Sequence, residues 1–257
     1  MAIVSKPSWF PYVRGPHLTQ RVCFFHVPKC GGLSVTSSMR RRYAVSDHLR
    51  GRLTSIAAGP SRQAADLQGT DLVEYRKDLL AYFLAREDLR FVTGHVGCSK
   101  QIVDAFAGRW KFVTVLRDPV ERFVSEYFYN RYKESEHFKT RLSLEEYLDD
   151  AIGRFSAQTY LNLFSGLPRS APDDERIDDA LANLSRFDLI GYLDDMSSFR
   201  ERFAALTGVP LAEVRNNANP APDYEQQRTQ SPAVLSAIES LCAADVELFQ
   251  RVRKHHA

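Results

Sequence analysis

RVCFFHVPKCGGLSVTSSMRRRY, residues 21–43, decides the fold. Its apolar run over 22–27 is short, aromatic and β-branched, and Pro28 stops it, so it reads as a buried strand. The tight turn Pro28-Lys29-Cys30-Gly31-Gly32 follows, and 33–42 reads as a helix with Leu33 and Ser34 in its first turn. Strand, Gly-rich turn and helix together make a phosphate-binding geometry. The glycines let backbone N–H groups approach an anion, and the helix N-terminus adds partial positive charge. Lys29 supplies a full charge and Ser34 a hydroxyl. In the P-loop of nucleoside triphosphatases the Lys follows the second Gly and precedes a magnesium-binding Ser or Thr. Here Lys29 precedes both glycines and no Lys follows them. The same local pattern also occurs in α/β folds that bind nothing there.

Outward from this stretch, apolar runs at 90–97 (RFVTGHVG), 111–116 (KFVTVL) and 187–192 (FDLIGY) read as further strands. Helical spacing covers 72–86, 102–106, 176–184, 197–206 and 232–253, with one further helix at 156–165. Asp118-Pro119-Val120-Glu121 opens a helix to 133, with Asp as N-cap, Pro at the first position and Glu placed for a capping box; Ser143 and Glu146 repeat the box. Residues 1–20 look irregular, and 44–70 and 211–230 read as long polar connections. Strands alternating with helices predict an α/β fold, a P-loop-like parallel sheet with helices on both faces, in a single domain over 1–257. Ligands of such sheets bind beyond the carboxyl ends of the strands. Three motifs belong there: the Lys29 turn, Gly94-His95, and Arg117-Asp118-Pro119.

Composition bounds the function. The chain has 257 residues, 44% hydrophobic and 26% charged, the balance of a globular protein with a sizeable core. A net charge of +2 does not imply a nucleic-acid partner. Arg40, Arg41, Arg42, Arg50, Arg52 and Arg62 cluster, either as a solvated helix end or as a surface for an anionic partner. No run approaches the roughly 20 apolar residues of a membrane span, and no signal peptide opens the chain, so the expected location is cytoplasmic. Cys23, Cys30, Cys98 and Cys242 form no CxxC pair and suggest neither zinc nor a disulfide framework. Cys23 and Cys242 read as buried thiols. Cys30 lies in the turn, where positive charge would lower a thiol pKa, although a small residue that fits the turn is the simpler reading.

Arg117 ends a strand, and Ser125 lies eight positions on (125 − 117) in the next helix, so both can reach a phosphate beside the helix start; taken alone, the pair reads more simply as an Arg paired with Asp118 or Glu121 and a Ser in a helix–helix contact. Taken together, HVPKCGGLS and LRDPVERFVSEYF resemble the sulfotransferases that use 3′-phosphoadenosine 5′-phosphosulfate (PAPS), the branch acting on carbohydrates in particular. Gln158-Thr159-Tyr160-Leu161 and Ile190-Gly191-Tyr192 extend the likeness over most of the chain. The resemblance implies a sulfotransferase fold. It also implies transfer of a sulfuryl group to an acceptor hydroxyl, on a carbohydrate or glycan, with release of adenosine 3′,5′-bisphosphate and no metal. Lys29, Cys30, Gly31, Gly32, Leu33 and Ser34 then match the loop around the 5′-phosphosulfate. Arg117 and Ser125 match the 3′-phosphate pair. Cys30 stands where the family often has Thr or Ser, which removes one hydroxyl.

His95 is the candidate base, at the same sheet edge as Lys29 and with an ordinary pKa near neutrality; related carbohydrate sulfotransferases use a His at the end of a comparable strand. His26 is second, with His48 and Glu74 as outside candidates. His17, His137, His255 and His256 read as surface residues, and Tyr127, Tyr129 and Tyr132 as core or as sugar-stacking faces. The alternatives are an ATP-dependent kinase with a P-loop-like site and a non-catalytic nucleotide-binding protein. The missing Walker lysine argues against the first.

Overall fold

The computed structural model describes residues 18, 20–43, 52–136, 138–212, 220–221 and 231–255, with the backbone alone for 41–43. A five-stranded, wholly parallel sheet is its centre, in the order β2-β3-β1-β4-β5. The strands are β1 (Val22–Phe25), β2 (Leu53–Ile56), β3 (Phe91–Gly94), β4 (Lys111–Leu116) and β5 (Leu189–Tyr192). The fold class is therefore α/β, as expected. The helices are α1 (Gly32–Tyr43), α2 (Ala58–Gln68), α3 (Leu72–Ala85), α4 (Lys100–Phe106), α5 (Pro119–Tyr132), α6 (Leu144–Asp149), α7 (Ala151–Ala157), α8 (Thr159–Phe164), α9 (Asp173–Leu184), α10 (Met196–Thr207), α11 (Pro232–Leu241) and α12 (Ala243–His255).

Strand alternation divides the core. Cys23, Phe25, Val92 and Phe112 face one layer, shared with Leu80, Tyr160, Ile177 and Leu248 of the helices. Val22, Phe24, Phe91 and Val113 face the other, packed on Val35 and Met39 of α1 and Phe199 and Phe203 of α10. Both faces are thus covered, which is why the strands read as continuous apolar runs. A third cluster joins α5, α6, α7 and α11 around Phe123, Tyr147 and Ile238. Among the described residues no helix is long and apolar enough to cross a membrane.

Several sequence expectations change. The stretch 44–70 is not wholly a connection: it contains the edge strand β2 and the helix α2. The helix expected at 156–165 is two short ones, α7 and α8, each starting at its own N-cap. The one expected at 232–253 breaks at Cys242 into α11 and α12. Asp118 does cap α5, accepting from the Glu121 N–H, and Pro119 starts it; the Glu121 carboxylate, however, takes Arg117 Nε at 3.2 Å. The box at Ser143 and Glu146 forms in both directions. All four cysteines are buried and free. His17, His48, His137, His256 and Arg50 lie outside the described residues; His255 is exposed.

Candidate active site

Parallel pairing puts the ends of β1, β3 and β4 side by side. Phe25 is in register with Gly94 on one side and Thr114 on the other. His26 continues the ladder, its N–H donating to the Gly94 carbonyl at 3.1 Å. The chain leaves β1 toward β2 and β3 and later crosses to β4, so this edge is the switch point where open α/β sheets bind ligands.

The turn after β1 is built by steric demand. Lys29 and Gly31 both have left-handed backbone, φ +63° and +78°. Lys29 carries a side chain there at a cost of about 1 kcal/mol or more, a strain that clusters at functional sites. A Cβ on Gly31 would lie 2.7 Å from Leu193 Cδ1, and one on Gly32 2.2 Å from the His26 ring. Gly32→Ala should therefore push His26 off its seat, destabilising the fold by about 1–3 kcal/mol and lowering Tm by several degrees in a thermal melt. Helix α1 starts at Gly32, so its N-terminus faces the turn, and the Ser34 N–H donates to the Gly31 carbonyl at 3.0 Å. Leu33 is largely exposed and Ser34 half-buried.

His95 follows β3, and its ring centroid lies 4.4 Å from that of His26. Its Nδ1 donates to the His26 carbonyl at 2.6 Å. A carbonyl only accepts, so the proton is on Nδ1 and the lone pair on Nε2. Arg76 of α3 holds the backbone of this corner: its Nη1 donates to the His95 carbonyl at 3.2 Å, Nη2 to the Ala58 carbonyl at 3.2 Å, and Nε to Ser61 Oγ at 2.9 Å.

Arg117 leaves β4 beside them. Its N–H donates to the Tyr160 hydroxyl at 2.9 Å, and that hydroxyl donates back to the Arg117 carbonyl. Tyr160 also lies 3.6 Å from Cys30 Sγ, linking the two motifs from α8. Asp245 of α12 holds α8 in turn, accepting from the N–H groups of Tyr160 (2.7 Å) and Leu161 (3.1 Å). Apart from the bond to Glu121, the Arg117 guanidinium has no partner among the described residues. Ser125, in α5, is buried. A family model described as "Sulfotransferase family" matches residues 18–251.

The chain belongs to the sulfotransferase family. Among solved structures it is similar to a sulfotransferase from Alicyclobacillus acidocaldarius, at 14% identity and TM-score 0.44, covering 90% of this chain and 97% of that one. It is also similar to a structure from the PezAT toxin-antitoxin system of Streptococcus pneumoniae, at 13% identity and TM-score 0.34, covering 92% and 90%. No curated protein matches it.

In this sulfotransferase, burial dominates the electrostatics of the edge. It lowers the Lys29 pKa to about 8; Glu126 opposes the shift, and Arg117 and Lys133 add to it. Burial lowers the pKa of His26 to about 3 and that of His95 below the ordinary range, so both rings are neutral at pH 7. For His95 the bond to His26 and the charge of Glu126 oppose the shift, and Arg76 reinforces it. Cys30 follows the simpler of its two sequence readings: burial outweighs the nearby cations and pushes its thiol up to about 11, so it is a packing residue. Among the described residues, no group of three or more His, Cys, Asp or Glu is arranged to hold a metal ion.

The sequence reading brought together Lys29, His95 and Arg117 and missed Tyr160, Arg76 and Glu126. The first was within a quoted motif. Glu126 was legible from spacing, four residues after Arg122. Arg122 is completely buried and paired with Glu126. Tyr127 is core, its hydroxyl donating to the Leu142 carbonyl at 2.9 Å. Tyr129 packs beneath Lys29, whose Nζ lies 3.8 Å from its ring centroid.

Proposed function

We propose that this protein transfers a sulfuryl group from PAPS to a hydroxyl of a carbohydrate or glycan, releasing adenosine 3′,5′-bisphosphate. The observation that supports it most is the meeting, at one sheet edge, of a left-handed Lys29-Gly31 turn, a neutral imidazole with its lone pair on Nε2, and a guanidinium with free terminal groups. The donor set suits a substrate with two separate anionic ends. The turn, the α1 N-terminus and Lys29 would hold the 5′-phosphosulfate, with Gly31, Gly32, Leu33 and Ser34 supplying backbone and hydroxyl donors. Arg117 and Ser125 would hold the 3′-phosphate.

In this scheme His95 Nε2 takes the acceptor's hydroxyl proton while the acceptor oxygen bonds to sulfur in line. The bond from sulfur to the bridging oxygen breaks, its electron pair stays on the departing 5′-phosphate, and Lys29 neutralises that charge. The scheme assigns the substrate's charges to Lys29, Arg117, hydroxyls and backbone donors and calls for no metal ion.

Calorimetric titration without magnesium tests the reading. Adenosine 3′,5′-bisphosphate should bind more tightly than ATP or 5′-AMP, and Arg117→Ala should weaken it about tenfold or more, the loss of a charge-assisted hydrogen-bond pair. A magnesium-dependent preference for ATP would replace this reading with the kinase.

A further inference from the structure

Lys29 has no carboxylate within ion-pair distance among the described residues, although its ammonium is largely withdrawn from water. What surrounds it is a stripe on α5. Arg122, Glu126, Tyr129 and Lys133 follow at offsets of four, three and four, one face of a helix continued through its C-cap. Arg122, completely buried, lies at the foot of the stripe and donates to Glu126 Oε2 and to the Ser156 carbonyl. Ser156 Oγ donates to the same Oε2 at 2.7 Å. The Glu126 carboxylate is thus fixed from behind through one oxygen, and Oε1 takes no bond from the described residues. Tyr129 is one turn on, with Lys29 Nζ 3.8 Å from its ring centroid; Lys133 Nζ is 5.6 Å from the same ring and tied to Asn130 Oδ1 at 2.7 Å.

We propose that Tyr129 and Glu126 are positioning residues of the transfer site: the ring of Tyr129 aims the Lys29 ammonium, and the carboxylate of Glu126 keeps it charged. This rests on the sulfuryl-transfer reading, in which Lys29 must carry its proton to the departing phosphate. A lysine buried beside Arg117 and Lys133 is pressed to lose that proton. A cation over an aromatic face is held without an anion that would compete with the substrate. A carboxylate one turn away, already saturated on one side, offsets the two like charges without forming a salt bridge that binding would have to break. Neither residue makes or breaks a bond.

The groups facing these two limit what can titrate. Lys29 faces Glu126, Arg117, Lys133 and Cys30. Glu126 faces Lys29, Arg122, Lys133, His95, Cys30 and Tyr147. The Cys30 thiol and the Tyr147 phenol are pushed up by burial and His95 is pushed down, which leaves Lys29, lowered to about 8, and Lys133, lowered from its ordinary value by burial, as the groups that discharge as pH rises.

The test is the pH dependence of adenosine 3′,5′-bisphosphate binding, followed by calorimetry. For the wild type, affinity should fall as pH rises past about 8, where free Lys29 discharges. Lys29→Met should remove that fall, which assigns it to Lys29 rather than Lys133. Glu126→Gln should start the fall roughly half to one pH unit lower. Tyr129→Phe should bind like wild type, whereas Tyr129→Leu should lose about fivefold or more at neutral pH. Glu126→Gln leaves Arg122 buried without its counter-charge, so Glu126→Asp, which keeps the charge, should return the fall to the wild-type pH and serves if Gln does not fold. A fall at the wild-type pH in Glu126→Gln, or equal binding by Tyr129→Leu and Tyr129→Phe, would overturn the inference. A wild type that binds no bisphosphate overturns the sulfuryl-transfer reading itself, a result distinct from either.

Discussion

Lys29→Met should reduce sulfuryl transfer about a thousandfold, the effect of removing a preorganised charge from a site where negative charge develops. That corresponds to about 4 kcal/mol of transition-state stabilisation. The effect should fall mainly on turnover, because the charge on the leaving oxygen grows as the bond to sulfur breaks. Stability should not fall with it. The pKa of Lys29 is lowered in the fold to about 8 from 10.5, so between those values the unfolded chain binds more protons than the folded one. Stability therefore rises with pH through that window, and at pH 7 the buried ammonium opposes folding. Lys29→Met should melt no lower than wild type. Backbone geometry adds a second check: with φ at +63°, Lys29→Gly should be more stable than Lys29→Ala by about 1 kcal/mol. A thousandfold loss with an unchanged melt separates a site role from a structural one; an active Lys29→Met would remove Lys29 from the chemistry.

His95→Asn should cost a comparable amount, about a hundredfold to ten-thousandfold in turnover, the range for a general base. The amide can still donate toward the His26 carbonyl, so the corner held by Arg76 should persist, while no group with a basic lone pair remains at the position of Nε2. Adenosine 3′,5′-bisphosphate should bind as before, because His95 is assigned to the acceptor's proton and not to the nucleotide. The pH profile carries an independent mark. Burial lowers the pKa of His95, so the acid limb of turnover should lie below the ordinary histidine range, and activity should persist at pH values where an exposed imidazole is already charged. An acid limb above about 6.5 would point to a different base.

Much of the architecture was legible because the central strands are buried on both faces. Residues 22–25, 91–94, 111–116 and 189–192 are nearly unbroken runs of apolar side chains, and position along the chain alone then predicts which turns share an edge. The exception is instructive. Leu53–Ile56 is an edge strand with half-buried side chains, and α2 after it buries little more than Ser61 and Ala65 and carries Gly59 and Pro60 in its first turn. Neither element has the apolar periodicity that betrays a core-facing segment, so both read as connection until β3 supplies the pairing. In the same way, α11 and α12 share one apolar rhythm that passes through Cys242 without marking the break.

The sequence by itself determined four of the five strands, the glycine-rich turn and the family, because each is written in contiguous residues: an apolar strand, a pair of glycines after it, a capped helix after Arg117. Only the tertiary structure decided the charge states and the supports. Whether Cys30 is reactive or inert depends on burial in a core assembled from distant segments, which outweighs the opposing hydrogen bond of Tyr160, 130 positions away. The tautomer of His95 depends on a carbonyl 69 positions earlier. The pKa of Lys29 depends on a helix that packs over it, and the seating of Arg117 on a tyrosine whose helix is held by Asp245. Desolvation and Coulomb interaction act through space and fall off over a few ångströms, so they belong to the packed chain and leave no signature in local spacing.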